Sequence, residues 1–230
     1  KGDGYGATEG VRILLGNNST IATTIASRLG SFSVSFTVDT QACGTVSLIA
    51  FGSFDNTNHV DDDQFRIRGE IILVSPNYGT VGTPILVCGN GYGANEGINI
   101  GLGLNGSIVG TTAVENGVFG AVFTIDTQFY GTKTLTVSGT GAGAGTGDVD
   151  YRTVKVLPQV VSVSPISGTI GTIVTIYGTG HGTIEQINVK FGTEPGVGFG
   201  TQSMNTPIET SDRGTFTGYS KFCAIHLPRW

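Results

Sequence analysis

Acidic residues are the first candidates for chemistry, because they repeat. Asp61-Asp62-Asp63 and Asp148-Val149-Asp150 stand 87 residues apart, so Asp61 matches Asp148 and Asp63 matches Asp150. Carboxylates two positions apart on an extended strand point to one side, about 7 Å from each other. Both can reach one Ca²⁺ if a neighbouring loop adds oxygens, since calcium takes about six to eight. Asp61, Asp63, Asp148 and Asp150 are therefore the candidate calcium ligands, with Glu9 and Glu96, again 87 apart, as further donors. The competing reading is solvated edge charge that discourages strand pairing. Two Asn-x-Ser/Thr triplets coincide at the same offset, Asn18-Ser19-Thr20 and Asn105-Gly106-Ser107. Asn18 and Asn105 are candidate glycan acceptors, or asparagines retained for turn formation.

Other reactive types form no constellation. His59, His181 and His226 do not recur as histidines at matching positions, and no nucleophile–base arrangement follows from their spacing. No catalytic residue is assigned and no enzyme is expected. Cys43, Cys88 and Cys223 are odd in number and belong to no CxxC pair, so they read as small buried hydrophobes. Gly139-Thr140-Gly141-Ala142-Gly143-Ala144-Gly145-Thr146-Gly147 contains the spacing of a phosphate loop. A phosphate loop needs a helix after it, whereas Asp150-Tyr-Arg-Thr-Val-Lys-Val starts a strand, so no bound cofactor is expected beyond calcium. With 12 basic against 17 acidic residues, net −5, the surface has no footprint for nucleic acid. No apolar run is long enough to span a bilayer, and the basic-then-apolar pattern of a secretory leader is absent from the start.

The elements that must position these residues are strands. Among 230 residues 38 are glycine and only 13% are charged, which argues against helical bundles and, with its β-branched runs, against disorder. Gly4-Tyr5-Gly6-Ala7-Thr8-Glu9-Gly10 recurs as Gly91-Tyr92-Gly93-Ala94-Asn95-Glu96-Gly97. At the same offset of 87, Phe32-Ser-Val-Ser-Phe36-Thr-Val-Asp39-Thr-Gln41 matches Phe119-Gly-Ala-Val-Phe123-Thr-Ile-Asp126-Thr-Gln128. A junction recurs at offset 89: Val74-Ser-Pro-Asn-Tyr-Gly79-Thr-Val-Gly-Thr83 against Val163-Ser-Pro-Ile-Ser-Gly168-Thr-Ile-Gly-Thr172. Period-2 alternation predicts middle-unit strands over 71–75, 84–88, 97–104, 107–114, 118–125, 133–138 and 150–156. Seven short strands with turns every 8–12 residues predict an all-β, immunoglobulin-like β-sandwich in tandem. The expected units are 1–69 (first strand missing), 70–157 (complete) and 158–230 (last strands missing). Tyr5 and Tyr92, in equivalent loops, are expected to pack at the junction between units.

The Val-Ser-Pro-x-x-Gly-Thr-x-Gly-Thr run at 163–172, followed by Gly180-His181-Gly182, resembles the start of IPT/TIG-type immunoglobulin-like domains. The Gly-x-Phe-x-x-x-Phe-Thr-Val/Ile-Asp-Thr half resembles repeats of prokaryotic cell-surface and surface-layer (S-layer) proteins. The resemblance implies an extracellular, structural role in a cell-envelope array, with copies of itself as partners in a lattice or filament. The alternative is an adhesin stalk or carbohydrate-binding spacer in a larger surface protein or enzyme, with surface glycans as partners. Fold alone does not decide between them.

Overall fold

The computed structural model describes residues 1–53, 60–141, 149–169, 171–187, 190–191, 202–203 and 208–221, with the backbone alone for 60–61, 190–191, 202–203 and 220–221. His59, Asp148, Cys223 and His226 lie outside the described residues, as does most of the glycine run after Gly141.

Residues 70–157 form two facing sheets. One holds β5 (Glu70–Ser75), β7 (Pro84–Asn90) and β10 (Phe119–Thr124), in the order β10-β7-β5. The other holds β6 (Tyr78–Thr80), β8 (Gly97–Leu102), β9 (Asn105–Thr112), β11 (Gly131–Gly139) and β12 (Val149–Leu157), in the order β6-β12-β11-β8-β9. Alternation places Ile85 and Val87 of β7, Leu135 and Val137 of β11, and Val154 and Val156 of β12 between the sheets, all fully buried. This is an immunoglobulin-like sandwich, and apolar burial of this kind is its main source of stability. An eighth strand, β6, joins the seven expected from the alternation. Pro76 has no N–H to continue the ladder of β5, so the chain crosses to the other sheet there. β6 then pairs in parallel with β12, Tyr78 opposite Lys155, and the Lys155 amide donates to the Asn77 carbonyl (2.9 Å).

The first segment repeats half of this plan. β1 (Gly10–Leu15), β2 (Asn18–Ile25), β3 (Gly44–Gly52) and β4 (Val60–Ile67) form one sheet, β2-β1-β3-β4, matching β9-β8-β11-β12. Residues 32–38, which align with β10, carry no ladder among the described residues beyond the Gly2↔Phe32 bridge. Phe32, Val34 and Phe36 nevertheless pack against a small core of Val11, Ile13 and Ala26.

The last segment repeats the other half. β13 (Gln159–Ser164), β14 (Ile173–Thr179) and β19 (Phe216–Lys221) form a sheet, β13-β14-β19, matching β5-β7-β10. Two short pairs accompany it: β15 (Gln186–Ile187) with β18 (Ile208–Glu209), and β16 (Lys190–Phe191) with β17 (Gln202–Ser203). Its core gathers Val174, Ile176 and Phe216. The repeat extends to irregularities: β5 bulges between Ile71 and Leu73, and β13 between Val160 and Ser162.

Candidate functional site: a repeated loop and the junction it makes

Each segment carries one loop built in the same way. In Gly4–Glu9, Gly91–Glu96 and Gly180–Glu185 the residue before the glutamate adopts positive φ: Thr8 at 60°, Asn95 at 57° and Ile184 at 53°. That backbone folds the chain back, and the glutamate closes the turn. Its Oε2 accepts the amide N–H three residues earlier, from Gly6, Gly93 and Gly182, at 2.6 Å in all three loops. Glu96 also accepts from the Gly141 amide through Oε1 (2.9 Å), which ties the loop to the end of β11. Glu9 and Glu96 are both buried, so a carboxylate held by backbone N–H groups here fixes the loop.

The ring in the middle of each loop meets an aromatic of its own segment edge to face. Tyr5 meets Phe32 (5.1 Å between centroids), Tyr92 meets Phe119 (5.2 Å) and His181 meets Phe216 (5.0 Å). Tyr92 is fully buried, and its ring also lies beneath Gly69 of the connecting segment. The ring belongs to the core of its sandwich; the loop's backbone makes the contact between segments. The Cys43 amide donates to the Tyr92 carbonyl (2.8 Å), and the Tyr130 amide donates to the His181 carbonyl (2.9 Å). Cys43 matches Tyr130 and Tyr92 matches His181, so the same bond joins first segment to second and second to third. Behind each carbonyl sits a glycine with positive φ, Gly117 (79°) and Gly214 (70°), whose own carbonyl accepts the Tyr92 or His181 amide (3.1 and 3.0 Å). A Cβ on Gly117 would overlap the Tyr92 carbonyl oxygen and come 2.9 Å from the Ala42 Cα of the preceding segment. Gly214 repeats this against the His181 carbonyl and the Phe129 Cα, at 2.8 Å. Glycine is required there by both conformation and space.

The residues just before the junction amides are anchored as well. Gln128, fully buried, donates through Nε2 to the Leu102 carbonyl (3.0 Å) and to Asp126, and accepts the Leu104 amide at Oε1 (3.3 Å). Gln41 does the same with Leu15 (3.1 Å), Asp39 and Asn17 (2.9 Å). These glutamines lie in the repeated Asp-Thr-Gln motif, but nothing in its spacing marked them as an interior clamp. Beside the second junction Lys133 is buried, its Nζ 3.1 Å from the centre of the Phe129 ring, and burial holds its pKa below the ordinary 10.5.

The candidate ligands and acceptors occupy distinct places. Asp150 Oδ2 accepts the Ile71 amide (2.8 Å) and pairs with Arg152 Nη1 (2.9 Å), while its Oδ1 accepts the Tyr151 amide (2.7 Å). Arg152 Nη2 in turn donates to the Ile71 carbonyl (2.6 Å), so the two side chains clamp β5 across the sandwich to β12. Asp63 accepts the Gln64 amide (2.8 Å) in the first segment. Among the described residues no three His, Cys, Asp or Glu side chains gather as a metal site; Asp148 and the Asp61 side chain are not among them. Asn18 and Asn105 sit at the start of β2 and β9, where their Oδ1 atoms accept the Thr20 (2.9 Å) and Ser107 (3.2 Å) amides. Their Nδ2 atoms, the ones a glycan would modify, donate to Asp39 (2.8 Å) and Asp126 (3.2 Å). Cys43 and Cys88 are both half-buried, short of the full burial expected of them.

The sheets and these loops define a class: an all-β chain of immunoglobulin-like sandwich repeats joined by a recurrent backbone contact. No protein-family model matches the chain, and no curated protein matches it. Among solved structures it is similar to a biofilm-associated protein BSP domain, with TM-score 0.25 and 17% identity over 66% of this chain and 25% of that one. It is also similar to invasin, a bacterial integrin-binding protein, with TM-score 0.27 and 16% identity over 95% of this chain and 48% of that one. The chain thus spans about a quarter and about half of those two structures.

Proposed function

We propose that the chain is part of an extracellular structural protein in which tandem immunoglobulin-like units (1–69, 70–157 and 158–230) form a stiffened run at the cell envelope. The observation that carries this reading is the junction repeated at both boundaries, Cys43 N–H to Tyr92 O and Tyr130 N–H to His181 O. A flexible linker would leave successive units free to reorient, whereas a hydrogen bond beside a close-packed glycine restricts them. Identical restriction at successive boundaries is what a mechanical spacer or array element needs. A surface poor in charge suits close lateral packing of identical neighbours. Function in this reading is load transmission and spacing, in a surface layer or in an adhesin stalk.

Two measurements test it. Immunogold labelling with an antibody to this chain is expected to decorate intact source cells, and labelling only after permeabilisation would refute the location. Residual dipolar couplings from the folded segments are expected to fit one shared alignment frame. Independent alignment of each segment would refute the stiffened run.

A further inference from the structure

We propose that the outer face of the larger sheet in the middle sandwich binds an acidic polysaccharide, with Tyr78 and Tyr151 as stacking platforms and Lys155 as the contact for a uronate carboxylate. This goes beyond the spacer role above and does not depend on it. Alternation turns Tyr151, Thr153 and Lys155 of β12 away from the core, while Val154 and Val156 lie fully buried on the other face. β11 sets Thr136, Thr134 and Thr132 opposite those three residues, in that order. On the far side of β12, β6 places Tyr78 opposite Lys155. Around that pair lies a cleft of about 480 Å³, lined by Asn77, Tyr78, Thr132, Thr153, Lys155 and Leu157. Its size is ordinary for a ligand site, ~300–1,000 Å³. Tyr78 is 59% exposed and Tyr151 58%. Tyr151 lies four positions from Lys155 along β12, about 13 Å, so the two rings suit an extended ligand.

Neither ring belongs to the repeat. Ser167 stands where Tyr78 does, 89 residues on, and Gln64 stands where Tyr151 does, 87 residues back. Rings that the scaffold needs recur with it, as Tyr5 and Tyr92 do, so these two answer to something outside the fold. The polar groups around them are unengaged. Among the described residues the Tyr78 and Tyr151 hydroxyls, the Lys155 ammonium and the Thr132, Thr134 and Thr153 hydroxyls have no hydrogen-bond or ion-pair partner in the protein. Among the described residues lining the cleft Lys155 alone is charged, so it presents a local cation on a chain of net −5. A protein partner would need a continuous apolar centre, whereas threonines lie between these rings. A sugar chain needs the reverse. The C–H face of a pyranose rests against the negative face of an aromatic ring, and its hydroxyls exchange hydrogen bonds with threonines. A carboxylate on the sugar stacked at Tyr78 then meets Lys155, one strand away.

Oligogalacturonates, alginate fragments and hyaluronan fragments, arrayed beside neutral dextran and cellulose fragments, are probed with the whole chain. The expected result is retention on an acidic series, weakening as salt rises, and none on the neutral ones. Tyr78→Ala and Tyr151→Ala are each expected to weaken binding about ten-fold. Tyr78→Phe and Tyr151→Phe are expected to retain it, since the ring and not the hydroxyl stacks. Lys155→Met is expected to weaken binding about three-fold and to remove its salt dependence. Val122→Ser, exposed on the outer face of the opposite sheet, is expected to change nothing. All four positions are exposed, so each variant is expected to unfold at the parent temperature. No retention on any acidic series overturns the proposal, and so does equal retention on the neutral ones. Binding that survives both tyrosine-to-alanine changes overturns it too, as does an equal loss in Val122→Ser. None of these results bears on the surface labelling or the shared alignment that test the spacer reading.

Discussion

Gly117 offers the sharpest test of the junction, because three glycines isolate the contributions to it. Gly82 has φ of 89° and open space around its Cα, so alanine there costs only the left-handed strain, about 1 kcal/mol. Gly30 has φ of 76°, and a Cβ would also overlap the Tyr5 carbonyl of its own loop, endangering the Tyr5 N–H to Gly30 O bond (3.0 Å). Alanine there is expected to cost about 2 kcal/mol, the strain plus one hydrogen bond. Gly117 adds the neighbouring segment: its Cβ would meet both the Tyr92 carbonyl and the Ala42 Cα. Displacing that loop breaks the Tyr92 N–H to Gly117 O bond and the Cys43 N–H to Tyr92 O bond, so Gly117→Ala is expected to cost about 3–4 kcal/mol. For a sandwich of this size that is a fall in Tm of roughly 15 °C. Urea unfolding of the three variants, each compared with the parent chain, reads the series, and dipolar couplings read the loss of shared alignment. Gly117→Ala no more destabilising than Gly82→Ala would refute the junction as an energetic contact.

Three further outcomes follow from the clamps. Gln128→Leu leaves the Leu102 carbonyl and the Leu104 amide without their side-chain partner and is expected to cost about 2–4 kcal/mol, read by chemical denaturation; a loss under 1 kcal/mol would refute the clamp. Asp150→Ala releases the Ile71 amide and Arg152, and is expected to speed hydrogen exchange of β5 amides while β11 amides stay protected. Lys133 has its pKa lowered by burial, so the native state binds fewer protons than the unfolded chain between that lowered value and 10.5. Stability is expected to rise with pH across that window, and Lys133→Met to flatten the rise; an unchanged slope in the variant would refute it.

The immunoglobulin-like sandwich was legible in the chain because apolar alternation of period two and turns at fixed spacing leave little else that can bury Phe119, Phe123, Leu135 and Val137. The repeat was equally plain, since it is a property of letters. What the letters left open was the role of the repeated polar residues. Asp63 and Asp150 share a residue type and an offset with calcium ligands and with strand clamps alike. Only folding brings Ile71 from 79 positions away onto Asp150, and that distance in sequence hides the contact. Glu9 and Glu96, read from the sequence as further calcium donors, are aimed at glycines of their own loops by the positive-φ turns at Thr8 and Asn95.

By itself, then, the sequence determined the class of fold and the period of the repeat, because these depend on side-chain alternation and on letters that recur. Tertiary structure alone decided which backbone atoms meet across the boundaries, Cys43 with Tyr92 and Tyr130 with His181. Those facts depend on where distant strands run in space, and a main-chain amide or carbonyl carries no sequence signature of its partner.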